Sequence, residues 1–185
     1  MMRELSDNIM DIAQNSISAG ASLTEIAVTV SHETNLITIR FTDNGCGMSE
    51  EMVKAVTEPF TTTRKTRKVG LGLPLLQQTA LMTGGDLKIA STVGVGTEVT
   101  ATFGLDHIDR PPMGDVAGAW FSLVVMNPDT DFLFTYDYDG NVFTFDTRII
   151  RATVDPLPLN QMEISAWIKE CIYQEIKELH GGLFS

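Results

Sequence analysis

Three short stretches hold the residues able to do chemistry. In FTDNGCGMSE, residues 41–50, a run of strand-forming residues ends in a carboxylate, a carboxamide and two glycines one residue apart. Asp43 and Asn44 can cap and turn a chain, and Gly45 and Gly47 can take backbone shapes that other residues resist. A plain turn accounts for that much, so a ligand role needs support from elsewhere. In MRELSDNIMDIAQNSISA, residues 2–19, Glu4, Asn8, Asp11 and Asn15 fall within about 60° of one another on a helix and form a polar stripe. In TEPFTTTRKTRKVGLGLP, residues 57–74, Arg64, Lys65, Arg67 and Lys68 precede Gly70 and Gly72. Four basic residues of thirteen make a local excess, which suits either phosphate countercharge or a solvated loop.

Two familiar nucleotide motifs fail. No glycine is followed, after four residues, by the Gly–Lys–Ser/Thr ending of a Walker loop. GLGLPL has Leu75 where a dinucleotide fingerprint needs its third glycine, and it follows a polar loop rather than a strand. Cys46 and Cys171 are too few and too far apart for a disulfide scaffold or a metal cluster. His32, His107 and His180 read as surface histidines, the last in a frayed terminus. A net charge of -11 argues against nucleic acid as a partner. No apolar run reaches the roughly 18–20 residues needed to span a bilayer, and a soluble cytoplasmic protein without a membrane partner is expected.

These residues need elements to hold them. Residues 2–19 form a helix with Leu5, Ile9, Ile12 and Ser16 along one flank, stopped at Gly20. EIAVTVSH and LITIRFTD read as a hairpin about Glu33–Asn35. Ser49 starts a short helix that Pro59 ends, and residues 57–70 read as a long mobile loop. Residues 71–83 regain helical character, with Pro74 tolerable in the first turn, and DLKIAST with GTEVTATFGL forms a second hairpin. Beyond residue 105 the composition changes. A helix over 114–127, a hairpin about Asp139–Gly140 and a final helix capped by Asn160 with Glu163 are expected. Ile164, Trp167, Ile168, Cys171, Ile172, Glu175 and Ile176 supply that last helix with an imperfect apolar face. The expected class is α+β. It is a two-layer α/β sandwich, a mixed but mostly antiparallel sheet with helices on one face. Residues 1–105 make one domain. Residues 106–185 make a small helix–hairpin–helix unit packed on that domain or on a partner.

The order of these motifs resembles the ATP-binding domain shared by gyrase-type topoisomerases, heat-shock chaperones, mismatch-repair ATPases and histidine kinases. The resemblance covers roughly residues 2–104. DIAQNSISAGAS looks like the helix bearing that superfamily's asparagine, and ITIRFTDNGCGM like its strand and first glycine box. VGLGLPLLQQTALMTGGDLKIASTVGVGTEVTATF is similar to the kinase-type second glycine box with its helix and closing hairpin. The resemblance implies ATP and Mg²⁺ as cofactors. Asn15, by residue type alone one member of a solvated stripe, would be the metal ligand, an amide oxygen suiting a hard cation. Asp43 would accept a hydrogen bond from the adenine amino group, with Gly45 and Gly47 allowing close approach to the base. Met48 would line the adenine pocket or serve as a core methionine, and Thr97 would stand near the base or be an ordinary strand residue. Gly70, Leu71, Gly72 and Leu73 would present backbone N–H groups to phosphate oxygens, and Thr62, Arg64 and Lys68 would add contacts from the loop.

Here the resemblance divides. Asp11 stands four residues before Asn15, where the gyrase and mismatch-repair branch has a glutamate that activates water. Aspartate is a similar base but one methylene shorter, and a proton acceptor must reach hydrogen-bond distance. The loop TEPFTTTRKTRKVGLGLP looks instead like that of sensor histidine kinases and of anti-sigma serine kinases. A complete sensor kinase is not expected, because none of the three histidines has the helix-pair context of a phosphoacceptor. The expected activity is γ-phosphoryl transfer to a separate protein, or slow ATP hydrolysis, with Asp11 catalytic. The alternative is a regulatory nucleotide-binding module that switches partner interactions without catalysis. The expected partners are a phosphoacceptor protein or a second copy of the chain.

Overall fold

The computed structural model describes residues 4–57 and 72–180. The chain runs α1 (Leu5–Ser18), β1 (Leu23–Ser31), β2 (Leu36–Asp43), α2 (Glu50–Thr57), α3 (Gly72–Met82), β3 (Leu87–Thr92) and β4 (Gly96–Gly104). It continues with α4 (Val116–Met126), β5 (Asp131–Tyr138), β6 (Asn141–Asp146), α5 (Thr147–Val154) and α6 (Met162–Leu179). Of the loop expected over residues 57–70, only Thr57 falls within the described residues, as the last residue of α2.

Strand order is β3-β4-β2-β1-β5-β6, and every neighbouring pair is antiparallel except β1 with β5. The parallel pair sets Thr24 against Phe132, Ile26 against Phe134 and Val28 against Tyr136. A parallel partner cannot be reached by a tight turn, and the chain makes the crossing through α4. Strands from beyond residue 105 therefore continue the sheet begun by β1–β4.

Alternation decides which side of the sheet is covered. Ile26, Val28, Val30, Ile37, Ile39, Phe41, Val99, Ala101, Phe103, Phe132, Phe134 and Tyr136 are buried, while their sequence neighbours Glu25, Arg40 and Glu98 are exposed. The helices lie on the apolar side, and burying each large side chain there contributes about 1.5–3 kcal/mol. α1 brings Leu5, Ile9 and Ile12 to this layer, and α4 brings Trp120, Leu123 and Val124. The Trp120 ring stacks on Phe134 at 4.7 Å between centroids, with 9° between planes.

Several local expectations change. Asn8 is buried, so the stripe on α1 is not uniformly solvated. Asn160 does not cap the last helix: Gln161 holds that position, without a side-chain cap bond, and Gln161 N–H is drawn into a turn on Pro158 O at 3.0 Å. The buried stripe of α6 is Ile168, Ile172 and Ile176, and Trp167 stays about half exposed, at 52%. Helix α5, capped by Asp146 accepting from Arg148 N–H at 2.9 Å, was not expected. His180 is half-buried rather than frayed, with Nε2 2.9 Å from the Tyr136 hydroxyl and the ring 4.2 Å from that of Tyr138. His32 places Nδ1 2.7 Å from Asp139 Oδ2 and so joins two hairpin turns. Among the described residues, no helix is long and apolar enough to cross a membrane.

Candidate functional site

The parity that buries Ile37, Ile39 and Phe41 carries Asp43, the last residue of β2, onto the helix-covered side. Asn44 next to it serves the chain itself. Its Oδ1 accepts from Ser22 N–H at 2.9 Å and Leu23 N–H at 3.0 Å, and its Nδ2 donates to Ser22 Oγ at 2.8 Å. Asp43 is held differently. Gly45 N–H donates to its Oδ1 at 2.9 Å, and the buried Ser16 hydroxyl on α1 lies 2.8 Å from its Oδ2. Each carboxylate oxygen keeps acceptor capacity beyond these bonds.

The two glycines answer to the chain's own packing. A Cβ on Gly45 would stand 2.9 Å from Ala19 Cβ and 3.0 Å from Ala19 O. Gly47 has φ +66°, and its Cβ would run into the Thr92 carbonyl. The turn is thereby pinned between the end of α1 and the β3–β4 turn. Cys46 N–H donates to Ala19 O at 2.9 Å, and Gly94 N–H donates to Cys46 O at 2.8 Å. The Cys46 side chain itself is exposed.

Thr97 faces Asp43 across the β2–β4 ladder. Its hydroxyl lies 2.8 Å from Ser91 Oγ on β3, which also receives Met48 N–H at 2.7 Å and lies 3.0 Å from Gly96 O. One serine thus ties together the turn after Gly47 and the strand carrying Thr97. The Met48 side chain packs half-buried against the core.

The other end of the site is set by α1 and α3. Gly72, the first residue of α3, is buried against Asp11: a Cβ there would collide with the Asp11 carboxylate. Leu73 is buried below it. The first N–H groups of a helix have no partner within it and carry its positive partial charge. Asp11 is half-buried, and Asn15, one turn further along α1, is exposed. Thr62, Arg64, Lys68, Gly70 and Leu71 lie outside the described residues.

α1 joins Asp11 and Asn15 to Asp43 through Ser16, to Gly45 through Ala19 at its end and to Gly72 through Asp11. Thr97 pairs with Asp43, while Gly47 and Met48 meet β3 through Thr92 and Ser91. The donors suit the implied groups. Asn15 and Asp11 offer only hard oxygens toward a cation, Asp43 is a fixed acceptor, and the start of α3 has room for nothing larger than glycine at its first residue. Sequence reading missed Ser16 and Ser91. Ser16 had a signal, being a hydroxyl on the flank otherwise made by Leu5, Ile9 and Ile12; Ser91 had none beyond alternation.

Comparison with known proteins bears on the family and the fold. The family model described as histidine kinase-, DNA gyrase B- and HSP90-like ATPase matches residues 1–107. Sporulation kinase D of Bacillus subtilis is 34% identical over 94 residues, covering 51% of this chain and 18% of that one. Sensor histidine kinase ZraS of Escherichia coli is 28% identical over 110 residues, covering 60% of this chain and 23% of that one. The chain therefore spans less than a quarter of either relative's length. The N-terminal domain of a DNA repair protein superposes with a TM-score of 0.53 at 16% identity, covering 77% of this chain and 52% of that chain, a likeness of fold. With a match over more than half its length, the chain belongs to the histidine kinase-, DNA gyrase B- and HSP90-like ATPases and carries that family's ATP-binding domain.

Proposed function

We propose that the chain binds ATP with Mg²⁺ between α1 and the start of α3, and passes the γ-phosphoryl group to a separate protein or, slowly, to water. The observation that supports this most is the span of α1, which touches the Asp43 turn through Ser16 and the start of α3 through Asp11. Asp43 accepts a hydrogen bond from the adenine amino group, with the Thr97 hydroxyl beside it. Asn15 holds the metal through its amide oxygen. Magnesium, when bound, neutralises charge on the phosphates. The first N–H groups of α3, which a helix leaves without an internal partner, favour the same charge. Arg64 and Lys68, with Thr62, Gly70 and Leu71, are assigned to phosphate contact on sequence alone. Asp11 orients the attacking hydroxyl or water and takes its proton.

A regulatory reading without turnover has one observation in its favour. Asp11 is shorter than the glutamate of hydrolytic relatives and is packed against Gly72, which limits its reach. Incubation of the full chain with γ-labelled ATP, Mg²⁺ and native extract separates the readings. Label on free phosphate or on a protein, lost in Asp11→Asn with ATP affinity kept, is the expected result. No release and no labelled protein would leave the switch reading. The protein partner, a homodimer and a cytoplasmic location belong to the same proposal.

A further inference from the structure

We infer that Ser16 is a specificity-determining positioning residue, whose hydroxyl fixes the Asp43 carboxylate so that it accepts a 6-amino purine and refuses a 6-oxo purine. The inference rests on the adenine role proposed for Asp43.

Ser16 is 3% exposed, on the flank of α1 that otherwise buries Leu5, Ile9 and Ile12. A hydroxyl in such a position costs free energy unless it is hydrogen-bonded. Its partner lies 27 residues away, at Asp43 Oδ2, 2.8 Å distant. Facing an ionised carboxylate, which only accepts, the hydroxyl must donate. The bond is charge-assisted and so stronger than one between neutral groups. The other oxygen is taken by Gly45 N–H at 2.9 Å. Terminal carboxylate torsions are otherwise broad, so these two donors, one from α1 and one from the turn, settle the plane of the group.

A carboxylate held in one plane offers lone pairs in one direction. A 6-amino group donates to it. A 6-oxo group brings lone pairs against lone pairs, and desolvation leaves both unpaired, the arrangement that discriminates most between similar ligands. Without the Ser16 donor the carboxylate can turn about its torsion and admit a water, which can donate to an oxo group. Discrimination then falls even though Asp43 is intact.

Calorimetric titration of the full chain with Mg²⁺ and either ATP or inosine triphosphate, which carries a 6-oxo group, tests this. Ser16→Ala is expected to lower the preference for ATP roughly tenfold, with thermal melting confirming a folded protein. Ser16→Thr, which keeps the hydroxyl, restores most of the preference. Ser16→Cys fills the same space with a weak donor and moves the preference in the same direction as alanine, should the alanine variant unfold. On an Asp43→Asn background, Ser16→Ala no longer changes the ratio, because the two residues act as one unit. A wild type that prefers ATP and keeps that preference in both Ser16→Ala and Ser16→Cys overturns the inference and leaves the role of Asp43 standing. A wild type that binds both nucleotides equally overturns the role of Asp43 and this inference with it.

Discussion

At the scale of single residues, the site is governed by what cannot be enlarged or left unpaired. Gly72 is the plainest case, because the Asp11 carboxylate occupies the space a Cβ would need. Gly72→Ala is expected to destabilise the chain by about 1–3 kcal/mol, the usual cost of overpacking. Adding Asp11→Ala should recover most of that loss, and urea denaturation of both proteins measures it. A loss that persists in the double variant would mean the strain lies elsewhere. By type and spacing Asp11 and Asn15 read only as part of a polar stripe and Asp43 as a turn residue; their site roles are what the family resemblance implies. What stayed hidden was why the glycines are glycines. Besides any room these residues leave for a base, a Cβ on Gly45 or Gly47 would meet Ala19 or Thr92 of the chain itself. Such contacts join residues far apart in sequence, so no local pattern announces them.

At the scale of elements, the helices and strands with strong periodicity were readable and the short or ambiguous ones were not. Helix α4 is marked by its apolar run ending before Asn127–Pro128, while both hairpins of the matched region and α1 follow from alternation and apolar spacing. Helix α5 did not, because Thr147, Ile149, Ile150, Thr153 and Val154 are β-branched and prolong the look of β6. The Asp146 cap is what turns the chain there, and Asp146→Ala should cost about 1 kcal/mol, measured by chemical denaturation. An unchanged midpoint would show that packing alone holds α5. The end of α6 yields a pH prediction. Burial lowers the His180 pKa from its ordinary 6.5, so the neutral ring is the form the fold favours. A depressed folded-state pKa gives stability that is complete above pH 6.5 and is lost as the pH falls through the folded value. Melting temperatures of the wild type should therefore drop on mild acidification more than those of His180→Gln. Parallel curves would contradict this.

At the scale of the whole molecule, the sheet is continuous from β3 to β6. The change of composition after residue 105 marks a small unit expected to pack on the first domain or on a partner. Composition reports surface chemistry and does not reveal that β5 pairs with β1. The β1–β5 ladder and the packing of α4 beside α1 make the later residues part of the support for the site. A chain ending at residue 105 would uncover the apolar faces now held by Trp120, Leu123 and Phe134. Such a truncation is expected to bind a hydrophobic dye and lose cooperative melting, whereas a soluble, ATP-binding remnant would show that the extension is dispensable. The central claim is that α1 holds a magnesium nucleotide through Asn15 beside an adenine acceptor at Asp43. Its most direct test is calorimetric titration of the full chain with Mg–ATP, repeated with Asn15→Ala. The account predicts saturable, magnesium-dependent binding in the wild type and its near loss in the variant; the same affinity in both proteins would contradict it.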